Sequence, residues 1–362
     1  MTKPMAKQIT KQISKQALPD GYEALLDFFE TEEAIKLIKD AFERKLAEKL
    51  CLLRVSAPRF LVTGTGLQDD LAGTQKPVSF KTKFLDEAKS IEIVHSLAKW
   101  KRSALARYGF KHGTGLYTDM DAIRKDEDIS PIHSIYVDQW DWERIIFKEE
   151  RTLDFLKEIV RKIYAAILEA EAIVEKKFPK LKARLPREIS FVHSEELEEM
   201  FPGLTSKERE HAIAKERGAV FIIGIGHPLK SGKPHDLRAA DYDDWSTPTG
   251  KETDRETFGL DGDIIVWHPE RRQSIELSSM GIRVDAAAMI KQLKMMGLED
   301  RKELEFHKGI LEGKIPLSIG GGIGQSRLCM LLLQKAHIGE VQSSVWPEEV
   351  EEEFARNGIV LL

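Results

Sequence analysis

IGGGIGQSRLCMLLLQ, residues 319–334, sets four glycines (Gly320, Gly321, Gly322 and Gly324) ahead of Arg327 and a nearly unbroken apolar run from Leu328 to Leu333. Glycines clustered in this way allow a backbone to close on a ligand and permit φ > 0 without steric cost. The apolar run is too uniform for a surface helix, so the spacing predicts a helix or strand buried on most sides. Arg327 stands at the mouth of that element, and its charge, which cannot be neutralised, must find an anion. A phosphate would satisfy both the glycine loop and the arginine. The plainer alternative is a tight turn entering a core helix, with Arg327 on a structural carboxylate. Two familiar phosphate loops are excluded. No G-x-x-x-x-G-K-[ST] occurs, and counting G-x-G-x-x-G from Gly320 puts Gln325 where the third glycine belongs.

Composition narrows the class. The 362 residues are 42% hydrophobic, with 55 basic side chains against 60 acidic and a net charge of −5. Such a balance argues against a nucleic-acid or anionic-membrane partner. Only two cysteines, Cys51 and Cys329, occur, both within apolar surroundings in the sequence, which points to a reducing compartment. No apolar run approaches the roughly 18 residues of a membrane span, and no signal peptide opens the chain. A soluble cytoplasmic protein is expected.

Upstream of the glycine stretch, polar residues recur where a core is expected. Lys3, Lys7, Lys11 and Lys15 recur at a spacing of four in an N-terminal arm (1–30) read as loosely ordered. The remainder, 31–362, reads as one domain. Ile35, Ile38, Phe42, Leu46 and Leu50 predict a helix over 31–50, followed by a short strand that Pro58 stops. Ser96 reads as the N-cap of a helix closed by Gly109, with Lys101 on its apolar stripe four residues after Leu97, while Lys99 and Arg102 supply the outward charges. A lysine on a buried stripe is costly unless it meets an anion; the alternative is snorkelling to the surface. The segments 116–124 and 134–146 predict a strand pair around a charged turn. Gln139, Asp141 and Glu143 alternate there with Trp140 and Trp142, as in the floor of a polar ligand site. Asp241, Asp243 and Asp244 fit either a cation pocket or a solvated turn. Strands 263–267 and 275–284, paired about Pro269-Glu270, would set Asp263 opposite Glu276. Two carboxylates meeting on a sheet face need a proton or a cation between them, and an oxygen-only pair suits Mg²⁺ completed by a nucleotide.

Arg124, Arg327 and a carboxylate pair, on antiparallel strands and without a P-loop, suggest nucleotidyl transfer. The fold class is α+β, a mainly antiparallel sheet flanked by helices. The helix and strand ending at Pro58, the segment Arg124 to Glu143, and Gly320 to Arg327 resemble the three motifs of the class II aminoacyl-tRNA synthetase catalytic core. The blocks HSLAKWKR (95–102), GLYT (115–118), HSIYVDQWDWER (133–144), EREHAIAK (208–215), DYDDWSTP (241–248), ELSSMGIRVD (276–285) and IGGGIGQSRL (319–328) resemble the ammonia-dependent asparagine synthetase (aspartate–ammonia ligase) family. The similarity runs from about Lys45 to Trp346.

That resemblance implies ATP and Mg²⁺, a homodimer built through the first motif, and conversion of L-aspartate and ammonia to L-asparagine, AMP and pyrophosphate through a β-aspartyl adenylate. It implies Arg124 and Arg327 on phosphates, Asp263 and Glu276 on Mg²⁺, and Gly322 and Gly324 against the nucleotide. Asp69 and Asp243 would take the aspartate α-ammonium; Lys101, Ser96, Gln139 and Ser279 its carboxylates. A glutaminase would need a nucleophilic cysteine, and residue 2 is Thr2. A tRNA ligase would need an anticodon-binding domain, for which the chain before Thr31 is too short. Two further readings remain open: a synthetase that adenylates aspartate for another acceptor, tRNA or protein, and a non-catalytic nucleotide-binding regulator.

Overall fold

Along Tyr136–Ile145, Trp140 and Trp142 fall on one side of the strand, and Gln139, Asp141 and Glu143 on the other. That alternation sets the layers of the molecule. The computed structural model describes residues 18–71, 75–251 and 255–362. The four N-terminal lysines lie outside the described residues.

The chain opens with α1 (Phe28–Leu50), then β1 (Leu52–Arg54), β2 (Phe60–Val62), β3 (Ser79–Phe80), β4 (Ile91–Ile93) and α2 (Ala98–Tyr108). The hairpin β5 (Gly115–Ile123) and β6 (Tyr136–Ile145) leads to α3 (Leu153–Lys177), β7 (Ser190–His193), α4 (Ser194–Met200), α5 (Ser206–Arg217) and β8 (Ala219–Ile223). A small hairpin, β9 (Pro248–Lys251) and β10 (Glu256–Phe258), precedes β11 (Asp261–His268) and β12 (Gln273–Ile282). The last part holds α6 (Ala286–Met296), α7 (Glu305–Leu311), β13 (Ser318–Gly324), α8 (Gln325–Leu332) and α9 (Glu348–Arg356). Eight strands make the main sheet in the order β1-β5-β6-β13-β12-β11-β8-β7. The outermost pairs, β1 with β5 and β7 with β8, are parallel, and every inner pairing is antiparallel. This is the α+β, mainly antiparallel architecture the sequence suggested.

One face of the sheet carries the large core. Trp140, Trp142, Ile264, Met280, Ile319 and Ile323 pack there against α1, α3 and α8, with Phe42 4.7 Å from Trp140 between ring centroids. Full burial of each such side chain stabilises by about 1.5–3 kcal/mol. The helices are capped as their sequences require. Asp27 and Glu30 form a capping box on α1, Thr205 and Glu208 another on α5, and the Thr152 side chain accepts from Phe155 N–H on α3. The opposite face is covered only at its ends. There α2 packs Leu97, Trp100 and Leu105 over Leu116 and Met120, and α5 packs Ile213 and Ala214 over Val220, Ile222 and Ile265. Between the two helices the polar face of β6, β13 and β12 is left open to a cavity.

Five local expectations are corrected. The glycine stretch is not a loop but a central strand, β13, and none of its glycines has positive φ. They are there for close approach. A Cβ at Gly320 would overlap the Glu143 carboxylate, one at Gly322 the Gln139 amide, and one at Gly321 would lie 2.5 Å from Met280 Cβ. The N-cap of α2 is Leu97, with Ser96 Oγ accepting from Ala98 N–H at 3.1 Å. Lys99 and Arg102 do not point outward; they are 3% and 1% exposed, Lys99 bonded to Asp241. Cys51 is exposed at the C-terminal end of α1, and only Cys329 is buried. Within the described start of the chain, Leu26 is buried and Leu18 and Tyr22 pack beside α9, so 18–27 is not a loose arm.

The β11–β12 register also differs. Asp263 faces Ser279, not Glu276, because the turn spans Pro269–Arg272 and a bulge at Leu277 interrupts the ladder between Ile264/Ser278 and Ile265/Glu276. The extra residue restores parity. Glu276, opposite Ile265, therefore shares the cavity face with Asp263 and Ser279.

Candidate active site

Lys101 reaches down from α2 onto the polar face. It is 1% exposed, and its ammonium donates to Asp141 Oδ1 at 2.6 Å and to the Gly321 carbonyl at 2.7 Å. Burial pulls the Lys101 ammonium below its usual range; Asp141 opposes this, and the net stays downward. Close approach of α2 is possible because, beyond Ser318, β13 presents only Gly320, Gly322 and Gly324 to this face. Beside it, Arg283 donates to Glu143 at 2.9 and 3.0 Å and to Asp243, while Ser318 Oγ donates to Glu143 at 2.6 Å. Removing either partner of a buried pair of this kind costs about 3–5 kcal/mol.

These groups line a cavity of about 460 Å³ above β6, β13 and β12. Its walls include Asp69, Ser96, Lys101, Arg124, Gln139, Asp243, Glu276, Ser279, Gly322, Gly324 and Arg327, eleven of the twelve residues singled out from the sequence. Arg124 comes from the loop after β5 and donates to the His95 carbonyl at 3.4 Å, and its Nε has no partner among the described residues. Arg327, in the first turn of α8, donates to the Glu276 carbonyl at 3.0 Å. Two arginines thus enter the cavity from different elements.

Asp263 is the exception. It is 5% exposed and sits behind the wall, held by the guanidinium of Arg238, which does line the cavity. Burial pushes the Asp263 carboxyl up; Arg238 opposes this and Glu276 adds to it, leaving the net upward. Burial also pushes up the Glu276 carboxyl, but Arg327, Lys207 and Arg238 more than offset it, and the net is downward. Among the described residues no cluster of three or more histidine, cysteine, aspartate or glutamate side chains is arranged to hold a metal. The Asp241, Asp243 and Asp244 group is not a solvated turn, and of the three only Asp243 lines the cavity. All three are buried and matched by basic side chains: Asp241 by Lys99, Arg301 and His307, Asp243 by Arg283, Asp244 by Arg151.

Several cavity residues had no assigned role in the sequence reading: Lys207, Arg238, Tyr242, His133 and Glu127. Arg238 and Lys207 sit in a loop and at a helix start, where no periodicity marks a side chain as inward. The alternation about Trp140 and Trp142 did carry a signal for Asp141 and Glu143. Burial first, and then Arg327, pushes the His133 imidazole down to about 3. A neutral ring is thus held beside the arginine.

A family model described as aspartate-ammonia ligase matches residues 29–358. The aspartate–ammonia ligase of Clostridium perfringens is 56% identical over 350 residues, covering 97% of this chain and 100% of its own. That of Parabacteroides distasonis is 54% identical over 344 residues, covering 95% and 98%. Among solved structures, asparaginyl-tRNA synthetase from Pyrococcus horikoshii, complexed with asparaginyl-adenylate, superposes with a TM-score of 0.63 at 15% identity, over 88% of this chain and 70% of that one. The Entamoeba histolytica asparaginyl-tRNA synthetase gives 0.59 at 16% identity, over 86% and 67%. At such identities the likeness is one of fold, and it is the class II synthetase core. No helix among the described residues is long and apolar enough to cross a membrane. With both the sequence similarity and the family model spanning nearly its whole length, the chain belongs to the aspartate–ammonia ligase family.

Proposed function

We propose that the cavity uses ATP to activate the side-chain carboxylate of L-aspartate as a β-aspartyl adenylate, which ammonia converts to L-asparagine with release of AMP. The overall conversion is that of the family. The observation that supports this route is the meeting of Arg124, Arg327, Lys101 and Glu276 around one cavity.

In this reading Arg124 and Arg327 grip the phosphate chain and offset the charge that develops as the carboxylate attacks the α-phosphorus and pyrophosphate leaves. The bare face of β13, with Gly322 and Gly324, admits the nucleotide beside them. Lys101, already fixed by Asp141 and the Gly321 carbonyl, needs no reorganisation to meet a substrate carboxylate. Ser96, Gln139 and Ser279 complete the carboxylate contacts. Asp69, and Asp243 oriented by Arg283, receive the α-ammonium. Burial pushes the Asp69 carboxyl up and Lys99 holds it down, with the net upward; a cationic substrate group would reverse that balance. No base is assigned to ammonia, which attacks as the neutral molecule.

Asp263 and Glu276 fit Mg²⁺. They share a sheet face through the bulge at Leu277, the donors are all oxygen, and Glu276 raises the cost of ionising Asp263. When bound, Mg²⁺ withdraws charge from the phosphates. The working form is proposed to be a cytoplasmic homodimer, residues 31–362 acting as one domain; exposed Leu53 and Tyr108 beside β1 support that interface. Aspartate-dependent exchange of pyrophosphate into ATP without ammonium tests the adenylate route. Its absence, with asparagine still formed, would replace the adenylate by another activated species.

A further inference from the structure

The carboxylate assigned to Mg²⁺ above is not free. The Arg238 guanidinium, with its side chain 12% exposed, bonds Asp263 through Nη2, and its Nε lies 3.8 Å from Asp261 Oδ2. Arg238 also lines the cavity, so a single side chain touches both the hidden carboxylate and the open space. Asp261 is fully buried, and neither of its carboxylate oxygens has a hydrogen-bond partner among the described residues. The guanidinium is paired with both carboxylates. A divalent cation on Asp263 would put two more charges beside it, and like charges in a buried site repel strongly. Both cannot stay.

Arg238 sits where an exposed stretch meets a buried one. It ends the stretch 227–238, whose neighbours Asp236 and Leu237 are exposed, Leu237 at 52%. On its other side the chain is pinned, with Trp245 Nε1 donating to the Ala239 carbonyl at 3.0 Å. Besides Asp263, the only hydrogen bond its guanidinium makes among the described residues is a 3.4 Å contact with the neighbouring Leu237 carbonyl. Displaced from Asp263, the guanidinium has the cavity in front of it, where the proposed reaction places a triphosphate.

We propose that Arg238 is a placeholder cation: it neutralises Asp263 while the metal site is empty and transfers to the nucleotide phosphates when metal and nucleotide arrive together. The inference rests on the reading of Asp263 and Glu276 as metal ligands. It makes Arg238 a competitor of the metal and a partner of the metal–nucleotide complex, two effects of opposite sign. An arginine that only held the loop in place would not separate them.

The test uses Mn²⁺, followed by its electron paramagnetic resonance signal, with and without a non-hydrolysable ATP analogue. Arg238→Gln should bind Mn²⁺ alone about tenfold more tightly than the unaltered protein, and the Mn²⁺–analogue complex about tenfold more weakly. Equal affinities for Mn²⁺ alone, or a loss of both, would overturn the proposal. Asp263→Asn serves as the control for the underlying reading: unchanged Mn²⁺ binding there would refute the metal assignment itself. Should Arg238→Gln not fold, amide hydrogen exchange on the unaltered protein replaces it. Protection across 227–239 should change with Mn²⁺ plus analogue and not with analogue alone; identical exchange in the two would equally overturn the proposal.

Discussion

At the residue scale the site depends on charges held by other charges. Among the described residues the Arg327 side chain donates only to the Glu276 carbonyl, so its guanidinium has donors to spare for a phosphate. Arg327→Ala should lower aspartate-dependent pyrophosphate exchange by about 100-fold or more while leaving the circular dichroism spectrum unchanged. Exchange near the original rate in that variant would remove Arg327 from the reaction. Gly322 makes the complementary point, because its missing side chain is the feature that matters. Gly322→Ala would force a methyl group against the Gln139 amide and within 3.1 Å of Asp141 Oδ1. Overpacking of this kind costs about 1–3 kcal/mol, and the displaced Gln139 should raise the KM for aspartate. An alanine variant with unaltered KM and melting temperature would mean the strand has more room than the structure gives it.

At the scale of elements, the two cap boxes separate stability from function. Asp27→Ala and Thr205→Ala should each cost about 1 kcal/mol in urea unfolding. Only Thr205→Ala should also weaken nucleotide binding, since α5 carries Lys207 into the cavity two residues later. Equal nucleotide affinity in both variants would put Lys207 outside the site. Much at this scale was legible. The helix 31–50 and the hairpins follow from periodicity, which acts locally. The register of β11 and β12 did not, because a bulge depends on what packs on both faces, and no local pattern marks Leu277. Nor was it legible that 320–324 is a strand: glycine runs suggest loops, and only the long reach of Lys101, Gln139 and Glu143 from neighbouring elements explains why bare backbone is wanted there. Lys99 and Arg102 looked like outward charges for the same reason. Their partners, Asp241 for one and the Pro316 carbonyl for the other, lie 142 and 214 residues away.

At the scale of the whole molecule, buried titratable groups tie stability to pH. Burial pushes His337 down to about 3 and His268 to about 4, so both are neutral in the folded protein. In the unfolded chain a histidine takes up a proton near pH 6.5, so each contributes stability that is complete above that pH and lost as pH falls towards 4. Buried Asp69 and Glu340, with carboxyls pushed up chiefly by burial, act in the opposite sense, and the total is a difference. His337→Asn, which can keep an acceptor for Gly339 N–H, isolates one contribution. The gap in unfolding free energy between this variant and the unaltered protein should narrow by up to about 1.4 kcal/mol per pH unit below 6.5. A gap independent of pH would show the ring protonates freely in the fold. The central claim concerns the molecule as a catalyst, and product analysis tests it most directly. Folded protein with ATP, Mg²⁺ and L-aspartate should form asparagine only when ammonium is added, with AMP and pyrophosphate in equal amounts. ADP and phosphate in their place, or pyrophosphate exchange with no asparagine at any ammonium concentration, would contradict the account.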